Sequence, residues 1–117
     1  MSDGYVNIYS LAKIAQTAPI AATGAGATVI VPAVADKRVV VLSFMFTCSG
    51  DTDVTWEDTD GTNLSGVMRF SEFGGAEYDS ALHPVIKTLP DKGLSILVGS
   101  AVTVGGLITY LYLTDYS

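Results

Sequence analysis

The chain has 117 residues, 49% of them hydrophobic and only 15% charged, and carries a net charge of −6 at pH 7. That length fits one domain, and the acidity, with basic residues scattered rather than clustered, excludes a phosphate-binding nucleic-acid partner. Average globular chains carry about 25% charged residues, so this surface is expected to be partly covered, by other copies or by a larger assembly, rather than wholly wet.

No stretch reads as a membrane-spanning helix. Lys37, Arg38 and Ser43 interrupt the richest apolar run. The uncharged stretch from Leu94 to Leu113 holds Gly99, Gly105 and Gly106 and alternates with a period of two. Met1-Ser2-Asp3-Gly4 lacks the basic-then-apolar pattern of a signal peptide. Cys48 is single, so no internal disulfide staples the fold.

In chain order, Tyr5 to Ile14 could form a strand or a short helix. As a strand, Val6, Ile8, Ala12 and Ile14 share one face, and Tyr5, Tyr9 and Leu11 share the other. Thr17 to Ala27, TAPIAATGAGA, is small and uncharged and has the composition of a linker. Residues 1–26 are therefore expected to be an N-terminal arm and linker, and residues 27–117 the folded domain. The arm would bind a partner through Tyr5, Val6, Ile8, Tyr9, Leu11 and Ile14, adding to a neighbouring subunit's sheet. The competing reading makes this segment a first strand and loop of the same domain.

Arg38 to Thr47, RVVVLSFMFT, reads as a central strand buried on both faces. Gly50-Asp51 turns the chain into Val54-Thr55-Trp56, and Asp58-Thr59-Asp60-Gly61 is a strong turn. Leu64 to Phe70 is the next strand, and Gly74-Gly75 breaks it. Tyr78 to Leu82 is ambiguous, and Pro84 and Pro90 bracket a short edge strand, Val85 to Thr88. Leu94 to Val98, Ala101 to Thr103 and Leu107 to Leu113 complete the pattern, the last after Gly105-Gly106. Short strands spaced by about ten residues, with no helical stripe, predict an all-β fold, a jelly-roll-like antiparallel β-sandwich.

Chemistry-bearing patterns are sparse. The acidic run Asp51, Asp53, Glu57, Asp58, Asp60 includes Asp58-x-Asp60-Gly61-x-Asn63, part of a calcium-loop pattern without its closing Glu, and a hairpin turn accounts for it. Glu57, Asp58, Glu72 and Glu77 are carboxylates of the type used in glycoside hydrolysis, with no defining pattern. His83 has no partner at a recognisable spacing, and Cys48 reads as a small core residue. No nucleophile elbow, phosphate loop or zinc pattern occurs. Trp56 beside acidic loops, with Tyr5, Tyr9, Tyr78, Tyr110, Tyr112 and Tyr116, suits either sugar stacking or packing, and packing is favoured. The chain is expected not to be an enzyme and to need no cofactor or metal.

The combination of RVVVLSFMFTCSGDTDVTW, DGTNLSG and GLSILVGSAVTVGGLITYLYL, roughly Arg38 to Leu113, resembles small virion proteins of tailed bacteriophages. The likeness lies in an apolar strand, a Gly-Asp hairpin into Val54-Thr55-Trp56, a Leu64-Ser65-Gly66 turn and a closing strand after a glycine pair. It implies a jelly-roll or sandwich protein of the virion, assembled in the host cytoplasm, that forms homotrimers. Such a protein acts as a decoration or cement protein by bridging major capsid protein subunits, and it offers no catalytic residues, nucleic-acid partner or membrane partner. The alternatives are a tail or fibre component, or a carbohydrate-binding β-sandwich module with Trp56 at its site.

Overall fold

The computed structural model describes residues 14–79 and 86–114. They form eight strands: β1 (Gln16–Thr23), β2 (Gly26–Val31), β3 (Lys37–Cys48), β4 (Thr52–Asp58), β5 (Met68–Phe70), β6 (Gly75–Asp79), β7 (Leu94–Val98) and β8 (Thr103–Thr114). One sheet has the order β1-β8-β3-β6 and the other β2-β7-β4-β5. Every pairing is antiparallel. First pairs with last, second with seventh, third with sixth and fourth with fifth, so the chain is one long hairpin wound around itself. That winding is the jelly roll.

The two sheets close on a core of Ile20, Ala22, Val31, Val39, Val41, Phe44, Phe46, Cys48, Val54, Trp56, Leu94, Ile96, Val98, Val104, Ile108 and Tyr110. A bulge in β3, where the register against β8 shifts between Val41 and Ser43, decides which residues join it. Strict alternation from Val39 would send Ser43, Met45 and Thr47 inward. One extra residue reverses the parity, so Phe44, Phe46 and Cys48 point into the core and Met45 and Thr47 point out. Val40 and Leu42 are buried on the opposite side with Leu111 and Ala15. The prediction of a strand buried on both faces holds for Val39 to Leu42.

The linker expected over Thr17 to Ala27 is replaced by structure. Gln16 to Thr23 pairs along its whole length with β8, and Gly26 to Val29 pairs with β7. Ala18, Ile20 and Ala22 alternate inward, with Ile20 filling the core and the two alanines packing beside it. Pro19 is tolerated because β1 is an edge strand with only one neighbour. A boundary between residues 26 and 27 would fall inside β2. Of the expected arm contacts, Tyr5, Val6, Ile8, Tyr9 and Leu11 lie outside the described residues, and Ile14 is half-exposed.

Other boundaries also moved. Of Leu64 to Phe70 only Met68–Phe70 is strand. The amides of Leu64 and Ser65 instead donate to the Trp56 carbonyl, at 2.7 and 3.3 Å. Gly105 and Gly106 lie inside β8, not before it. A Cβ on Gly106 would fall 1.9 Å from the Met45 carbonyl oxygen, and one on Gly75 would fall 2.0 Å from that of Phe46. The two glycines thus let β8 and β6 approach β3 from either side.

Because Ile20 and Ala22 fill the core, truncation through residue 26 is expected to unfold the domain rather than spare it. Ile20→Ala alone should destabilise by about 2–5 kcal/mol in urea or thermal melts. A sandwich that melts unchanged without residues 1–26 would contradict this assignment of β1.

Candidate interaction surface

The acidic run does not converge on one site. Asp51 and Asp53 stand at the start of β4, and Asp58 ends it. Asp58 is buried, and its Oδ1 accepts from the amides of Asp60 at 2.8 Å and Thr62 at 3.0 Å. The Gly61 amide donates to the Asp58 carbonyl at 3.1 Å and Gly61 takes φ 88°, so the predicted turn is present. Asp60 pairs with Lys92, and this hydrogen bond holds the Lys92 ammonium above its ordinary pKa. Both carboxylates therefore serve the turn. Among the described residues, no group of three or more Asp, Glu, His or Cys side chains could hold a metal ion.

At the other end of β4, Asp51, Asp53, Arg69, Ser71 and Ser100 rim an open polar depression. Its polar groups are already engaged. Arg69 Nε lies 3.6 Å from Asp53 Oδ1. The Glu72 amide donates to Asp51 Oδ1 at 2.8 Å, and the Ser100 amide to Thr52 Oγ1 at 3.1 Å. The arrangement ties loops together and leaves no carboxylate poised as an acid or base.

Trp56 is 1% exposed, so its ring is unable to stack on a sugar. It packs between the sheets, with ring centroids 5.2 Å from Phe44 and 6.3 Å from Phe46. Tyr78 stacks on Phe44. Tyr112 donates to the Pro32 carbonyl at 2.7 Å, and Tyr110 to Gln16 Oε1 at 3.3 Å. Tyr5, Tyr9, His83 and Tyr116 lie outside the described residues. Glu57 is buried next to Trp56 on β4, while Glu72 and Glu77 are exposed on separate elements. Cys48 is buried, and burial pushes its thiol pKa up.

What the structure does assemble is a sheet face on which charge is confined to its β6 edge. The bulge in β3 turns Met45 and Thr47 outward on the β1-β8-β3-β6 sheet. Pro19, Leu107, Met45 and Glu77 are aligned across the four strands, and beside them run Ala21, Gly105, Thr47 and Gly75. Met45 is 52% exposed and Leu107 46%. Between them and β6 lies a shallow, mostly apolar depression lined by Met45, Thr47, Gly75, Ala76, Gly105 and Gly106, where the glycines leave the backbone bare. The only charges in the two rows are on Glu77, at the β6 edge.

Phe73 stands just before Gly75, 77% exposed. Its φ of 65° is in the left-handed region, which costs a bulky residue about 1–2 kcal/mol. The loop is held there by the Phe73 amide on the Cys48 carbonyl and the Cys48 amide on the Gly74 carbonyl, each 2.8 Å. An exposed aromatic residue is thus carried on a loop whose backbone is held at the end of β3. The sequence signals for this surface, Met45, Phe73 and the glycine pair, were visible, but nothing in the sequence announced their shared side.

No protein-family model matches the chain, and no curated protein matches it.

Two outcomes are expected from these assignments. Asp58→Ala should destabilise the fold by about 2 kcal/mol, because two backbone amides lose a charged acceptor, whereas Asp60→Ala should cost under about 1 kcal/mol; equal losses in chemical denaturation would refute the distinction. The raised Cys48 thiol pKa means the folded state keeps its proton where the unfolded chain loses it. Stability from this group is complete below the ordinary thiol value and falls as pH rises through the folded one. Melting curves at increasing alkaline pH should show a decline that Cys48→Ala lessens.

Proposed function

We propose that this chain is a structural protein of a tailed-bacteriophage virion, a capsid decoration or cement protein that acts as a homotrimer and bridges major capsid protein subunits. The observation that carries the reading is the largely apolar outer face around Met45 and Leu107, left open on a chain of net charge −6. Such a face suits a protein–protein contact. The resemblance of Arg38 to Leu113 to small phage virion proteins points the same way, and jelly rolls recur in capsid domains. That recurrence is an analogy of fold, not of site. Tyr5 to Leu11 remain, in this reading, an apolar segment for the capsid contact.

The engagement of the acidic residues in turns and ion pairs favours assembly over catalysis. Burial of Trp56 removes the ring on which a carbohydrate-binding site was centred. Among the described residues, three of the cations are engaged separately: Lys37 bonds Thr114, Arg69 pairs with Asp53 and Lys92 with Asp60. No helix among the described residues is long and apolar enough to cross a membrane.

A ligand that binds only the mature shell stabilises it, by about 2.7 kcal/mol per site at a hundred times its dissociation constant. The purified protein should therefore be a trimer by light scattering, co-sediment with expanded phage heads and raise their disruption temperature. A strict monomer that pellets with no particle would refute the proposal. Sedimentation with tails but not heads would move it to the tail or fibre.

A further inference from the structure

Among the described residues, three that are not glycine take a left-handed φ: Asp36, Phe73 and Asp91. Aspartate tolerates that region, and here the Asp36 amide is tied to Asp91 Oδ1 at 2.6 Å. A bulky aromatic residue is strained there. Its neighbour could have taken the strain at no cost, yet Gly74 has no positive φ. Gly74 is needed for space instead, since a Cβ on it would fall 2.9 Å from the Ser71 carbonyl oxygen. The strained backbone does not bury the Phe73 side chain either. At 77% exposed it is the most open large hydrophobic residue among those described. Strain that persists in a folded protein clusters at sites that grip a ligand or partner.

The loop holds this conformation at every step. The Glu72 amide donates to Asp51 Oδ1, the Phe73 amide to the Cys48 carbonyl and the Gly74 amide to the Ser71 carbonyl, each at 2.8 Å. The Cys48 amide returns a bond to the Gly74 carbonyl, and Cys48 belongs to the core. Three successive amides are thus satisfied and anchored to the end of β3. A partner that meets Phe73 has no loop to order first, which removes one of the usual costs of association.

We propose that Phe73 is an anchor residue that inserts into an apolar pocket of a protein partner, a pocket with Lys or Arg side chains on its rim. The inference rests on the virion reading above and names a residue by which the chain holds the particle surface. Charge specifies the rim. Exposed Glu72 precedes Phe73, and the Asp51 carboxylate sits at the Glu72 amide, on a chain of net charge −6. Arg69, two residues before Ser71, already faces Asp53. Anionic lipid and nucleic acid are repelled by such surroundings, whereas a cationic rim is drawn to them. Exposure specifies the pocket: a side chain that stands out into solvent gains most by entering a cavity, and rigid aromatic anchors of this kind carry much of the energy of an interface.

Strain and display make opposite demands on Phe73, so stability and binding should part. Phe73→Asn and Phe73→Gly both relieve the left-handed strain and remove the ring. Each should melt at the wild-type temperature or a few degrees above it. Each should also weaken co-sedimentation with expanded phage heads by roughly thirtyfold, the scale of a hot-spot loss. Phe73→Tyr should retain most of the binding. Glu72→Lys should weaken it and reduce its dependence on salt. Heads bound as tightly by Phe73→Asn and Phe73→Gly as by the wild type overturn the anchor and leave the virion reading standing. A marked fall in the melting temperature of both variants assigns Phe73 to the fold and also overturns the anchor. Tighter binding by Glu72→Lys overturns the cationic rim. A wild-type protein that sediments with no particle overturns both readings.

Discussion

The packing of Trp56 against Phe44 and Phe46 is the interaction on which the rest of this structure depends. Trp56 lies on β4 and the two phenylalanines on β3, in opposite sheets, so this aromatic contact binds the layers at their middle. Phe70 from β5 meets Phe46 edge-on and Tyr78 from β6 stacks on Phe44, which brings in the short strands. Fully burying such rings contributes several kcal/mol. The arrangement is strong enough to hold an unsatisfied group, for Trp56 Nε1 is buried without a hydrogen-bond partner. Leaving that donor bare costs about 1–3 kcal/mol, which the apolar packing outweighs.

The bulge in β3 is what makes this contact compatible with an exposed apolar face. By inserting one residue it turns Phe44 and Phe46 inward and in the same step turns Met45 and Thr47 outward. A single local irregularity thus sets both the core and the surface proposed for assembly. The glycines extend the effect. Gly75 and Gly106 let β6 and β8 approach β3, and Gly105 and Gly75 leave the outer face without side chains over part of its width.

Charge is distributed in keeping with this division. The carboxylates that could have served chemistry are engaged in architecture, Asp58 in its turn, Asp51 at the Glu72 amide and Asp53 with Arg69. Cations that could have gathered on a phosphate-binding patch are dispersed among separate partners. Strands β1 and β2 carry no charged residue, and on the adjoining face charge is confined to the β6 edge. A fold of this kind supports many functions, and here the site-level features favour association over catalysis.

The sequence by itself determined the all-β class and most strand centres, because alternation and turn residues are local signals: Leu94 to Val98 was legible residue for residue, and the turn at Asp58 to Gly61 followed from its composition. Tertiary structure alone decided the rest. TAPIAATGAGA has the composition of a linker, and only its pairing with β8 and β7 makes strands of it, since small uncharged residues carry no local preference strong enough to declare one. Leu64 to Phe70 reads as one strand, but the Trp56 carbonyl captures the amides of Leu64 and Ser65. The burial of Trp56, the parity reversal in β3 and the shared side of Met45, Leu107 and the glycine floor all depend on partners distant in the chain. A period of two reports that a residue has two faces; which face meets the other sheet is set by register and bulges, and those exist only once the strands have paired.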